Sequence, residues 1–229
     1  MKVETAYDLW SKQYDSIGNR TRDLDKYVTK ETLRNYEFDR VIELGSGTGK
    51  NTIYLLERAS QIIGLDFSQE MLKRATKKIT DNGVEFRQRN IKYGWGIDKE
   101  FADLITSNLT LEHIEDLDFI FEQASLSLKP NGYFFIYELH PYKQYLGSKA
   151  RFDHDGETIE LEVYTHHITD YLASAQTVGF KLLEIKEWFD KQPFDKQPFD
   201  EQPLSEDPSH RESIPVQPPR LISIMFQKS

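Results

Sequence analysis

The chain contains no cysteine among its 229 residues. Disulfides and thiolate metal sites are thereby excluded. It also lacks any excess of positive charge. A net charge of −9 and a pI near 5.2 repel phosphate backbones, so nucleic acid is not an expected partner. The one basic cluster, Arg20, Arg22, Lys26 and Lys30, is interleaved with Asp23, Asp25 and Glu31. No apolar run approaches the length needed to span a bilayer, and no charged-then-apolar leader opens the sequence. A cytoplasmic protein with no membrane partner is the expectation. Proline is scarce outside residues 189–219, which hold seven of the nine. There the unit Phe189-Asp190-Lys191-Gln192-Pro193 recurs at 194–198 and, with Glu201 in place of lysine, at 199–203. Proline at that density forbids regular helix and central strand, so an extended loop is expected.

What is present is enough apolar and aromatic material for a core, with 14 Phe and 12 Tyr. At this length one domain with additions is the simplest organisation. From Phe38 to Leu139 strand and helix patterns alternate, which predicts a parallel sheet with helices on both faces. Strands are expected near 40–44, 61–65, 84–87, 102–107 and 132–139, and helices near 50–58, 69–79 and 117–128. Lys129-Pro130-Asn131-Gly132 reads as a helix stop and turn. Residues 1–36 look helical and amphipathic. Residues 140–166 break the alternation with a hairpin pattern around Asp155-Gly156. A helix over 168–178, a sixth strand over 181–188 and a last strand over 221–226 complete the pattern.

The most informative stretch is Arg40 to Gly49, a buried strand followed by Gly45-Ser46-Gly47-Thr48-Gly49 and a helix. Glycine at every second position leaves one side of the turn without Cβ atoms, so a ligand can approach the backbone. The helix beyond points unpaired N–H groups at that ligand. Gln61 to Asp66 reads as the next strand and ends in a carboxylate, about 20 residues past the glycine turn, where it suits the two ribose hydroxyls of an adenosine. The pyrophosphate-binding turn has the spacing G-x-G-x-x-G; here it is G-x-G-x-G, preceded by Glu43. A carboxylate there repels a dinucleotide and suits a ligand bearing an ammonium or sulfonium.

Glu43 to Gly49, with Leu65-Asp66-Phe67-Ser68-Gln69-Glu70-Met71-Leu72, resembles the first two motifs of the class I S-adenosylmethionine-dependent methyltransferases. The resemblance covers most of residues 38–188 and 220–228, and is closest in style to the small-molecule enzymes of ubiquinone and menaquinone biosynthesis. It implies a Rossmann-like α/β fold, a seven-stranded and mostly parallel sheet with an antiparallel last strand. The implied division of the single domain 1–229 is a helical lid over 1–37, a cofactor-binding half over 38–139, a substrate-covering insertion over 140–167 and the Pro-rich loop over 189–219. It implies S-adenosyl-L-methionine as cofactor, with Gly45, Ser46, Gly47 and Gly49 along its methionine and ribose, and Glu43 toward its amino-acid end. Asp66 would hold the ribose hydroxyls, with Phe67 and Met71 against the adenine. Arg89-Asn90-Ile91 stands where the family usually has an Asp, and Asn90 can accept the adenine amino hydrogen bond through its carbonyl. Asn108-Leu109 resembles the motif near the methionine, and Tyr14 the tyrosine of a lid.

Methyl transfer to O, N or C of a small-molecule acceptor is the expected reaction. It needs alignment, exclusion of water and, for some acceptors, a general base. His140, at the mouth of the fifth strand, is the first candidate base, with His166 or His167 beside it. His113 packs on the cofactor or takes part in catalysis. Tyr142, Tyr145 and Arg151 are substrate contacts or surface residues. No third ligand for a metal beside His166 and His167 is identifiable. Three alternatives stand beside this reading: a protein methyltransferase that docks its partner through the Pro-rich repeat, an oxidoreductase using a nicotinamide dinucleotide, against which Glu43 and the G-x-G-x-G spacing argue, and a non-catalytic cofactor-binding module.

Overall fold

A computed structural model describes residues 2–154, 156–189 and 218–229. Nearly all of the Pro-rich repeat thus lies outside the described residues. Five strands arise where the apolar runs predict them: β1 Arg40–Leu44, β2 Gln61–Asp66, β3 Val84–Gln88, β4 Ala102–Asn108 and β5 Leu128–Leu139. They pair in parallel in the order β3-β2-β1-β4-β5. After a separate hairpin, β6 Arg151–His154 with β7 Glu157–Glu160, the sheet resumes with β8 Phe180–Trp188 and β9 Leu221–Lys228. The last strand inserts between β5 and β8, antiparallel to both.

Side chains alternate along the buried strands, so each face needs its own cover. Ile42 and Leu44 face a layer built with α5 (Leu117–Ser127) and α7 (Ile168–Thr177), where Phe121, Phe134, Phe180 and Phe226 meet. Val41, Leu104 and Tyr137 face α2 (Arg20–Leu33) and α3 (Lys50–Leu56). Helix α4 (Gln69–Lys78) follows β2, capped by the Ser68 hydroxyl, which accepts from the Met71 N–H at 3.2 Å. A third, smaller cluster joins α1 (Val3–Trp10) to the hairpin, with Trp10 stacked on Phe152 at 5.0 Å.

Three details differ from the sequence reading. Helix α3 stops at Leu56, and a short helix α6 (Pro141–Tyr145) precedes the hairpin. The Pro130-Asn131-Gly132 turn does not precede the fifth strand; β5 begins at Leu128 and carries the turn as an irregularity, with the register against β4 shifting between Ala102 and Leu104. Asn131 has φ +63 there, a left-handed conformation that asparagine tolerates. Among the described residues no helix is long and apolar enough to cross a membrane.

The strand order reverses between β1 and β4, and the carboxyl ends of these two strands open a crevice. The glycine turn leaves β1 at that point, and Asn108 ends β4 beside it.

Candidate active site

The glycine turn is built from positive φ angles, +67 at Gly45, +53 at Gly47 and +78 at Gly49, and the three positions do different work. A Cβ on Gly45 would lie 2.1 Å from the Thr110 hydroxyl, and one on Gly49 2.8 Å from Ile79 Cδ1. These two glycines let protein pack on protein. A Cβ on Gly47 meets nothing closer than 3.9 Å, so this glycine alone faces open space. Its N–H donates to Asp66 Oδ2 at 2.8 Å, while the Ser68 N–H donates to Oδ1 at 2.8 Å. Burial pushes the Asp66 carboxyl up to about 6 against these bonds. Glu43 is buried behind the turn, accepts from Thr52 Oγ1 at 2.5 Å, and is pushed up to about 8 by burial and then by Asp25 and Asp66. Asp66 lines the crevice, with Glu43 and Asp25 buried behind it, and the repulsion Glu43 feels from the other two favours a cation nearby.

Asp25 is the third of these. It comes from α2 and accepts from Asn51 at 2.9 Å, Asn108 at 2.5 Å and Thr29 at 3.2 Å. Asn108, expected to contribute backbone, therefore also ties the N-terminal helix to β4 through its side chain. Asp8 of α1 accepts from Ser68 Oγ at 2.6 Å and the Glu70 N–H at 3.2 Å, at the positive end of α4. Asp15 accepts from Thr48 Oγ1 at 2.7 Å and pairs with Lys78 at 2.7 Å.

Three cavities run in series through the crevice. The first, about 550 Å³, is lined by Asp66, Phe67, Asn90, Ile91 and His113 among others. The second, about 40 Å³, is lined by Gly45, Gly47, Asp66, Phe67, Met71, Asn108, Leu109 and His113, and is narrowed by Tyr7 and Tyr14. The third, about 610 Å³, lies between the N-terminal helices and residues 146–151 and shares Tyr7, Tyr14 and Leu109 with the second. Leu109, at φ +53, is a strained non-glycine residue at that junction. Glu43, Ser46 and Gly49 line none of the three: Gly49 packs on α4, and Ser46 is buried beside Gly64.

The turn Leu111–His113 after β4 carries two titratable groups into this region. The carboxylate of Glu138 holds the turn, accepting from the N–H groups of Thr110 at 2.9 Å and Leu111 at 2.8 Å. Burial pushes Glu138 up to about 8 and Glu112 up to about 7. His113 Nδ1 lies 3.0 Å from the Glu162 carbonyl, which can only accept, so Nδ1 carries the proton. Burial lowers its pKa and keeps the ring neutral. Its Nε2 must then accept, and Tyr7 donates its hydroxyl to it at 2.9 Å.

The other histidines sit elsewhere. His140 caps α6, accepting from the Tyr142 N–H through Nδ1 at 3.1 Å, and Nε2 meets Glu187 at 3.0 Å. Both ring nitrogens are engaged, and His140 lines none of the three cavities. His166 is buried with Nε2 at 2.7 Å from the Ile114 carbonyl, and His167 is exposed beside the Tyr145 hydroxyl. Tyr142 and Tyr145 are exposed on α6, outside the cavities, whereas Arg151 lines the third. Sequence reasoning missed Tyr7, Thr110, Glu112 and Lys149. Tyr7 had a visible signal in the aromatic group Tyr7, Leu9, Trp10 and Tyr14 of the N-terminal segment, and Glu112 had one in its place next to His113 after the fourth strand.

A sheet ordered β3-β2-β1-β4-β5-β9-β8, with a glycine turn after β1 and a carboxylate ending β2, is the class I methyltransferase fold. Residues 42–136 match the family model described as a methyltransferase domain. An uncharacterized methyltransferase of Emericella nidulans is 28% identical, over 80% of this chain and 78% of its own. The demethylmenaquinone methyltransferase of Lactobacillus johnsonii is 30% identical over 57% of this chain, which spans 55% of that relative. The solved DhpI–SAH complex superposes with a TM-score of 0.70 at 18% identity, over 98% of this chain and 94% of DhpI. Residues 42–136 thus carry a methyltransferase domain, on the fold of the class I S-adenosylmethionine-dependent methyltransferases.

Proposed function

We propose that this methyltransferase methylates O, N or C of a small molecule bound in the third cavity. The observation that carries the reading is the shared wall of Tyr7, Tyr14 and Leu109, which places an acceptor space of about 610 Å³ end-on to the cofactor crevice. That size lies within the range of about 300–1,000 Å³ of small-molecule sites. A demethylmenaquinone methyltransferase among the relatives fits an acceptor of this kind.

The residues present suit the cofactor. In this reading Asp66 holds the ribose hydroxyls, Phe67 and Ile91 flank the adenine, and Asn90, whose Oδ1 already accepts from the Lys92 N–H at 3.1 Å, offers a remaining lone pair to its amino group. Gly47 gives the methionine portion room, and Asp25, Glu43 and Asp66 supply the negative field its cationic centres need. S-adenosylmethionine supplies a methyl group on a sulfonium, already activated for displacement. The protein aligns the acceptor across Leu109 and excludes water with Tyr7 and Tyr14. For an acceptor that must lose a proton, Glu112 is the base we assign in place of His140, since Glu112 lines the acceptor cavity and His140 does not.

Calorimetric titration with S-adenosylhomocysteine tests the site, with a nicotinamide dinucleotide as control. Micromolar binding or tighter, about −8 kcal/mol, is expected for the former alone, and Asp66→Ala should weaken it at least tenfold. Failure of the wild-type chain to bind S-adenosylhomocysteine would overturn the assignment.

A further inference from the structure

We infer that the acceptor carries an acidic group, a carboxylate or a phosphate, which seats between the first turn of α2 and strand β6. The inference rests on reading the third cavity as the acceptor site. The chain as a whole is acidic, at −9, yet among the described residues that cavity gathers Arg20, Arg22, Lys149, Arg151 and Arg220 against one carboxylate, that of Glu112. Like charges brought together repel, and an arrangement of this kind is stabilised when an anion enters.

Arg220 has partners of its own, the Thr21 hydroxyl at 3.2 Å among them, and the other four cations are less fully engaged by the fold. Among the described residues neither Arg20 nor Arg151 has an ion-pair or hydrogen-bond partner for its side chain. Arg22 is only 8% exposed. Its guanidinium donates to the carbonyls of Tyr14 and Ile17, the latter at 2.9 Å, and lies over the Tyr14 ring at 4.1 Å. Its buried Nε has no partner, and no carboxylate is among its hydrogen-bond acceptors. Lys149 has one distant ion pair, 3.8 Å from Glu160 on the exposed hairpin.

The backbone adds to this charge. Helix α2 is 14 residues long, and its N-cap Asn19 and first residues Arg20, Thr21 and Arg22 all line the cavity. Asn19 satisfies the Arg22 N–H, and the N–H groups of Arg20 and Thr21 have no partner within the helix. Unpaired amides and a positive helix end favour an anion at the same place as the guanidinium groups. The position of Glu112 then sets the orientation. Its carboxylate repels the acid group, which turns toward Arg20 and Arg151, and the opposite end of the acceptor is left facing Glu112 and the Tyr7–Leu109 junction. Recognition of the acid group thus becomes the device that points the nucleophile at the methyl group.

The test uses the full chain saturated with S-adenosylhomocysteine, titrated calorimetrically with inorganic phosphate and separately with succinate. Saturable one-to-one binding of at least one anion is expected. The double variant Arg20→Gln/Arg151→Gln should weaken it at least tenfold. Lys143→Gln, a cation on α6 outside the cavity, should leave it unchanged. Both variants should keep wild-type affinity for S-adenosylhomocysteine, which shows that they fold. No saturable anion binding by a chain that takes up S-adenosylhomocysteine, or undiminished binding in the double variant, overturns the inference and leaves the cofactor assignment standing. A chain that binds no S-adenosylhomocysteine overturns the cofactor assignment, and the acceptor inference falls with it.

Discussion

Three glycines two residues apart look equivalent on paper, and their surroundings make them unequal. Gly47→Ala adds a methyl group to open space, at a backbone strain of about 1 kcal/mol. It should lower the melting temperature by only a few degrees while weakening S-adenosylhomocysteine binding at least tenfold, because the methyl group faces the crevice. Gly45→Ala and Gly49→Ala drive a Cβ into Thr110 and Ile79, so both should destabilise the fold by more than about 2 kcal/mol in denaturant titration. The reverse ranking would remove Gly47 from the cofactor site. Glu112 offers a second residue-scale experiment. Glu112→Gln keeps the shape of the side chain and removes the base. For an acceptor that must be deprotonated, kcat should fall about 10²- to 10⁴-fold and the rise in rate near pH 7 should vanish, with cofactor affinity unchanged. A variant with wild-type turnover and pH profile would leave Glu112 a wall of the cavity and no more.

At the scale of elements, the N-terminal helices are joined to the sheet by carboxylates aimed at particular donors. Asp8 meets the start of α4, Asp15 meets Thr48 and Lys78, and Asp25 bridges Asn51 of α3 and Asn108 of β4. Asp25→Ala strands two buried amide donors, each at a cost of about 1–3 kcal/mol. Its unfolding free energy should drop by about 2–5 kcal/mol, and amide exchange should quicken first in α2. Unchanged exchange in α2 would mean that the apolar contacts of Val28 and Leu33 hold the helix without the latch. Helix α1 depends less on the sheet and more on the hairpin, through Trp10 on Phe152. Two segments separated by more than half the chain thus close one cavity together. Their amphipathic patterns were legible in the sequence; their contact was not, since periodicity says which face is apolar and never which partner covers it.

Over the whole molecule, buried carboxyls set the pH behaviour. Glu112 at about 7 and Glu43 and Glu138 at about 8 hold their protons in the folded state long after the unfolded chain has released them. Stability from such groups is complete below their unfolded values near 4 and is lost as pH rises through the folded ones. His113 and His140, pushed down by burial, work in the opposite direction below about pH 6.5. Between about pH 6.5 and 8.5 the acids therefore dominate. The free protein should lose roughly 4 kcal/mol over that window, measurable by denaturant titration. S-adenosylmethionine should bind more tightly across the same window and release protons, because its positive charge favours ionised Asp66 and Glu43. S-adenosylhomocysteine, whose sulfur is uncharged, should show the smaller effect. Equal pH slopes for the two would mean that these carboxyls do not feel the sulfonium.

The order of strands and helices from Arg40 to Leu139, the glycine turn, Asp66 and the identity of the cofactor were determined by local pattern: each depends on neighbours in sequence, through periodicity, positive φ and a carboxylate at a strand end. The last strand was legible as well, as a late apolar run, while its antiparallel direction was implied only by the family resemblance. What only the tertiary structure decided is everything beyond the cofactor. His140 carried the sequence signature of a base, an imidazole at the mouth of a strand, yet its ring is taken up by a helix cap and by Glu187. Glu112 had no such signature and acquires its raised pKa from burial alone among the larger influences. The cavity proposed for the acceptor joins the first turn of α2 to residues 146–151 and Arg220. No local rule connects positions that far apart, because a pocket is a property of surfaces brought together by packing, and its charge is a sum over residues that the chain order scatters.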